Sequence, residues 1–179
     1  MGRGAEDGGW PTDCAQCFGL CCVALAHQPA AGFPAVKASD TVCCHLNDDF
    51  RCSVFERLEA EGFPICRAYD CYGAGPVVSD RLRAEWGPWT PPMVAGAAGH
   101  LLGFRELARL RMLIVALRRE GSPEAVELAA RLDPVADAFR RTGRVEIDAE
   151  TAQFMRWHEP LISAILAPLK EQTKPREGP

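Results

Sequence analysis

Nine cysteines carry most of the chemistry open to this chain of 179 residues, and all of them fall between Cys14 and Cys71. The first group reads Cys14-Ala-Gln-Cys17-Phe-Gly-Leu-Cys21-Cys22. The second reads Cys43-Cys44-His45-Leu46 and then Cys52, and the third Cys66-Arg-Ala-Tyr-Asp-Cys71. Two sulfurs separated by two residues can wrap one metal in a tight loop. Cys21, four residues after Cys17, adds a third sulfur to that side if a helix starts there, while Cys22 points about 100° away toward a second site. Disulfides are the competing chemistry. An odd count and an N-terminus, Met1 to Trp10, without the apolar core of an export signal both favour reduced thiols gathered around metal.

The order of these groups resembles a known family. Cys14-x2-Cys17-x3-Cys21-Cys22, Cys43-x2-Leu46-x5-Cys52, Cys52-Ser-Val-Phe55-Glu-Arg57 and Cys66-Arg67-Ala-Tyr69-Asp-Cys71 are similar to the YkgJ-like cysteine cluster family, described as zinc- or iron-chelating. The likeness covers residues 14–72. It implies a metal ligand set of Cys14, Cys17, Cys21, Cys22, Cys43, Cys52, Cys66 and Cys71, and leaves Cys44 as a spare thiol or small buried side chain. The chain departs from the family in a longer stretch between Arg57 and Cys66 and in the spacing of its first cysteines. Residues 14–75, with Tyr69-Asp-Cys-Tyr-Gly-Ala-Gly75, also resemble the Cys-rich front end of some actinobacterial pentapeptide-repeat proteins, although no pentapeptide repeat is present. Because the family includes a flagellin lysine N-methylase, the resemblance also allows a methyltransferase-like enzyme. The sequence has no nucleotide or cofactor fingerprint to go with that reading.

Eight thiolates suit two four-coordinate sites, or one cluster with cysteines to spare. Zinc takes closed tetrahedral thiolate sites and a four-iron cluster takes four thiolates. Scattered ligand groups and the adjacent Cys21-Cys22 pair tilt the expectation toward an iron–sulfur cluster, with Phe18, Phe50, Phe55, Phe63 and Tyr69 available to shield it from water. Arg57 and Arg67 are the expected cofactor-binding cations, offsetting thiolate charge, or else surface partners of Glu59 or Asp70. His45 is an outside candidate ligand, Asp48 and Asp49 read as solvated, and His158 reads as a core histidine. No serine sits in a nucleophile elbow and no base accompanies a lone cysteine, so no catalytic residue is assigned.

The elements that must position these thiols divide near residue 72. A loose lead-in (1–13) precedes an irregular Cys-rich module (14–75), with short helices expected at 21–26 and 54–61 and connecting turns at 73–75 and 88–92. A helical region (76–169) and a frayed tail (170–179) follow. One helix is expected from Thr90-Pro91 onward with a stripe of Leu107, Leu110, Ile114 and Leu117, leaving Arg105, Arg109, Arg111, Arg118 and Arg119 to solvent. Gly121-Ser122-Pro123 ends it and caps a second helix carrying Ala125, Leu128, Leu132, Val135 and Phe139. A third starts near Asp148, lines up Met155, Ile162, Ile165, Leu166 and Leu169, and is kinked or split at Pro160. The expected fold is mainly α: a metal-bound Cys-rich module packed on about three C-terminal helices. A formal net charge of −4 excludes a broad basic nucleic-acid surface, and no apolar run is long enough to span a bilayer. The expectation is a cytoplasmic metalloprotein with a protein partner.

Overall fold

The computed structural model describes residues 9–29, 32–85 and 89–172, with side chains described as far as residue 167. Among these residues the regular elements are helical: α1 (Leu20–Ala24), α2 (Pro64–Ala68), α3 (Ala74–Glu85), α4 (Pro91–Ala95), α5 (Ala98–Glu120), α6 (Pro123–Thr142), α7 (Ala149–Trp157) and α8 (Glu159–Gln172). Single 3-10 turns cover Cys14–Gln16 and Phe55–Arg57. Extended pairing is limited to isolated bridges, His27 with Lys37 and Leu46 with Cys52. The mainly α fold is the one expected.

Helix α5 is the axis of the molecule. Leu101, Phe104, Leu107, Ile114 and Leu117 are fully buried, and α6, α3, α1 and α8 pack around it. Each such side chain contributes roughly 1.5–3 kcal/mol relative to exposure. Gly103 lets α6 come close, since a Cβ there would stand 2.9 Å from Phe139 Cζ. Gly121 and Gly143 close α5 and α6 in the left-handed conformation, φ 79° and 72°, as a helix C-terminus favours. Ser122 and Asp148 cap α6 and α7 by accepting from Ala125 N–H and Thr151 N–H. The last helix is split at His158, and Pro160 falls in the first turn of α8, where its missing N–H costs nothing.

Several expectations need correction. The turn expected at Gly73–Gly75 is the start of α3, a 12-residue helix. The helix expected from Thr90 is broken at Gly96–Ala97 into α4 and α5, and the Thr90 side chain makes no cap bond. The helix expected at 54–61 is a single 3-10 turn, and α2 was not anticipated. Residue 88 of the expected 88–92 turn, residues 1–8 of the lead-in and residues 173–179 of the tail lie outside the described residues. The described end of the lead-in is anchored: Trp10 lies under Arg111 at 4.7 Å and Thr12 bonds to Asp70 and to Gly73 N–H.

The arginines of α5 are not uniformly solvated. Arg109, Arg118 and Arg119 are exposed, but Arg111 is buried at 2% exposure and donates to Tyr72 O at 2.9 Å. Arg105 bonds to Ala24 O and to Asp40. Both stitch the Cys-rich segment to the helical axis. The larger hydrophobic core is continuous across the two segments: Leu20, Val23, Ala24 and Cys71 share it with α3, α5 and α6. A second, smaller core of Phe33, Cys43, Val54, Leu58 and Phe63 lies wholly within the Cys-rich segment.

Candidate metal centre

The site begins with short pieces of backbone that aim sulfur inward. The 3-10 turn at Cys14–Gln16, capped by Asp13, leads Cys17 into α1, which carries Cys21 and Cys22. Cys43 N–H donates to Cys22 O at 3.0 Å, tying the second group to the first. The Leu46–Cys52 bridge folds Cys52 back beside Cys43, and Ser53 N–H donates to His45 O at 2.8 Å. Helix α2 carries Cys66, and Cys71 precedes α3.

These pieces enclose a cavity of about 400 Å³. Cys14, Cys17, Cys21, Cys22, Cys43, Cys52, Cys66 and Cys71 all line it; Cys44 does not, and is exposed. All nine cysteines are free thiols. Phe50, Phe55, Phe63 and Tyr69 line the same wall, as does Phe33. Phe18 stands behind it, packed on Phe50 at 4.6 Å between ring centroids. The arrangement is therefore a thiol-lined hollow with a largely apolar rim.

Burial pushes the Cys17 thiol up to about 12 and the Cys66 thiol up to about 11. Cys14, Cys43, Cys52 and Cys71 are also raised, chiefly by burial. Cys21 lies well above its ordinary value, first through its hydrogen bond with Cys22 and then through burial. Opposing this, the backbone N–H groups of Leu20, His45, Val54 and Gly75 near Cys17, Cys43, Cys52 and Cys71 pull the thiols back down. Such donors favour thiolate over thiol. Without a cation the thiols stay protonated at neutral pH; a bound soft metal would displace those protons and relieve the burial penalty.

As the side chains stand, no three Cys, His, Asp or Glu groups among the described residues converge closely enough to hold an ion. The eight cysteines line one hollow, and holding an ion there takes side-chain rearrangement. The donor chemistry and the enclosure fit a thiolate-bound metal.

No family model matches the chain, and no solved structure matches it. A bacterial relative does. Over 67 residues the chain is 46% identical to the uncharacterized protein YybG of Bacillus subtilis (strain 168). The match takes in 37% of this chain and 24% of YybG, so the chain spans about a quarter of that relative's length.

Neither of the expected arginines, Arg57 and Arg67, is among the residues that line the cavity. Arg57 pairs with Glu61 at 3.2 Å, not with Glu59, and both side chains are exposed; Arg67 is exposed on α2. The guanidinium that does reach the cysteine backbone is Arg51, which donates to Cys14 O and, at 2.8 Å, to Ala15 O. Asp48 and Asp49 are exposed, as expected. His45 lines the cavity with its ring edge-on to Phe63, and His27 lines it stacked on Phe33 at 4.7 Å. His158 stacks on Phe154, half-buried.

Three residues near the sulfurs have no signal in the sequence. Lys37, 8% exposed, donates to Val23 O, Leu25 O and Ala38 O at 3.1, 2.6 and 3.2 Å. Burial lowers its pKa, while the neighbouring Cys43 and Cys22 raise it. Ser79, fully buried on α3, accepts from Phe18 N–H and hydrogen-bonds Cys17. Thr12 lies 3.8 Å from Cys71 Sγ. Contacts across 59 and more residues, such as Thr12 to Cys71, leave no trace in local spacing.

Proposed function

We propose that this chain is a small cytoplasmic metalloprotein whose clustered cysteines bind an iron–sulfur cluster or zinc, serving electron transfer, metal handling or support of a protein partner. One observation carries the reading: the eight cysteines matching the cysteine-cluster pattern line one cavity, and the ninth stays outside it. Independent loops from five places along the chain would not bring eight thiols to one hollow for packing alone. Backbone N–H groups near four of the sulfurs add to this, because they favour the thiolate form that a bound cation draws out.

The aromatic wall and the size of the hollow favour an iron–sulfur cluster, which needs more room than a single ion and protection from water. Zinc is the second reading, since four thiolates complete a closed tetrahedral shell. No described helix is long and apolar enough to cross a membrane. Anaerobic purification, a visible spectrum and quantification of iron, sulfide and zinc test the reading. Brown protein with iron and sulfide supports the first occupant, and colourless protein with stoichiometric zinc the second. Absence of all three, or disulfides throughout by mass spectrometry, overturns it.

A further inference from the structure

We propose that the eight cysteines form two separate four-thiolate sites: Cys14, Cys17, Cys21 and Cys71 in one, Cys22, Cys43, Cys52 and Cys66 in the other. This rests on the metal-binding reading above and adds its stoichiometry and ligand assignment.

Packing divides the sulfurs. Cys71 is buried in the larger core, with Cys17 and Cys21 packed against it. Cys43 is buried in the smaller core, with Cys22, Cys52 and Cys66 packed against that one. None of these seven is shared.

Backbone geometry divides them the same way. A Cβ on Gly75 would stand 2.8 Å from Cys17 Sγ and 3.5 Å from Cys71 Sγ, so both sulfurs press on the first turn of α3. Cys14 is tied to Cys17 through the 3-10 turn, Cys17 N–H donating to Cys14 O at 3.2 Å. In the second quartet Cys43 is bonded to Cys22 by backbone, and the Leu46–Cys52 bridge sets Cys52 beside it.

The quartets meet at α1. Consecutive helical residues diverge by about 100°, so Cys21 and Cys22 turn toward different cores although their sulfurs are 4.0 Å apart. Four thiolates complete the shell of a tetrahedral zinc ion or the corners of a four-iron cluster, so four and four leaves no sulfur over. Cations sit near both: Arg51 donates to the carbonyls of Cys14 and Ala15, and Lys37 to that of Val23, next to Cys22. The first site lies against the larger core and the second against the smaller one.

The test is anaerobic titration of the reduced full-length chain with Co²⁺ alone, read by visible absorption and electron paramagnetic resonance. Expected are tetrahedral thiolate spectra saturating at two equivalents, with high-spin signal per cobalt unchanged between the first and the second. C17S/C71S and C52S/C66S should each retain one equivalent, and circular dichroism identifies a variant that has unfolded. Saturation at any other ratio, or signal that falls as the second ion enters, means a shared, thiolate-bridged cluster; that overturns the partition and leaves the metal reading standing. No thiolate-bound cobalt at all overturns both.

Discussion

Lys37 is a buried ammonium held by the carbonyls of Val23, Leu25 and Ala38, and its neighbours Cys22 and Cys43 are thiols. Replacing it by methionine keeps the length of the side chain and leaves the carbonyls of Val23, Leu25 and Ala38 without their donor. The expected loss is about 2–3 kcal/mol, from hydrogen bonds to a charged group, and urea unfolding of Lys37→Met measures it. Cys44 supplies the opposite expectation. It is exposed and outside the cavity, so Cys44→Ser should leave metal content at the wild-type level, checked by elemental analysis. At this scale the eight cavity cysteines were legible through the resemblance to a family pattern, whose short spacings are local. Lys37 and Arg111 were not, because a cation in a sequence reads as surface until its carbonyl partners are known.

Helix α3 was hidden behind its own first turn. Gly73, Gly75 and Pro76 look like punctuation, yet Pro76 is the third residue of α3, where the backbone N–H has no intrahelical partner to lose. That turn positions Cys17 and Cys71. In Gly75→Ala the new methyl would stand 2.8 Å from Cys17 Sγ, so that sulfur must move. The variant should keep its helical content, since alanine is the better helix former, and lose metal from the first quartet; circular dichroism with metal analysis checks both halves. Ser122 offers a simpler case, its side chain accepting from Ala125 N–H at 3.3 Å. Ser122→Ala should cost about 1 kcal/mol of stability, measured by denaturant midpoint, with metal content unchanged. Capping residues were legible because they act within three positions of themselves. The break at Gly96–Ala97 was not, because the stripe read for that helix begins only at Leu107 and gives no period to follow across Gly96.

The molecule joins a helical core to a thiol-lined loop region, and the thiols couple its stability to pH. Cys66 and Cys17 are raised from 9.0 to about 11 and about 12, so in the metal-free, reduced protein the folded state holds their protons more tightly than the unfolded chain does. Their contribution is fully present below about 9 and is lost as the pH rises through 11 and then 12. Denaturant midpoints of the metal-free protein should therefore fall steadily above pH 9. Metal-loaded protein, whose ligands are already deprotonated, should hold its midpoint across the same range.

The amino-acid sequence alone determined that the cysteines crowd into one segment, in an order that resembles a known family's, and that the rest of the chain is mainly helical. Those properties follow from neighbours a few residues apart, through ligand loops, caps and helical periodicity. Tertiary structure decided which sulfurs face which core, where α3 begins under Cys17 and Cys71, and which cations are buried. Each of those depends on surfaces brought together from distant parts of the chain, and burial is settled by what covers a residue, not by the residues beside it in sequence.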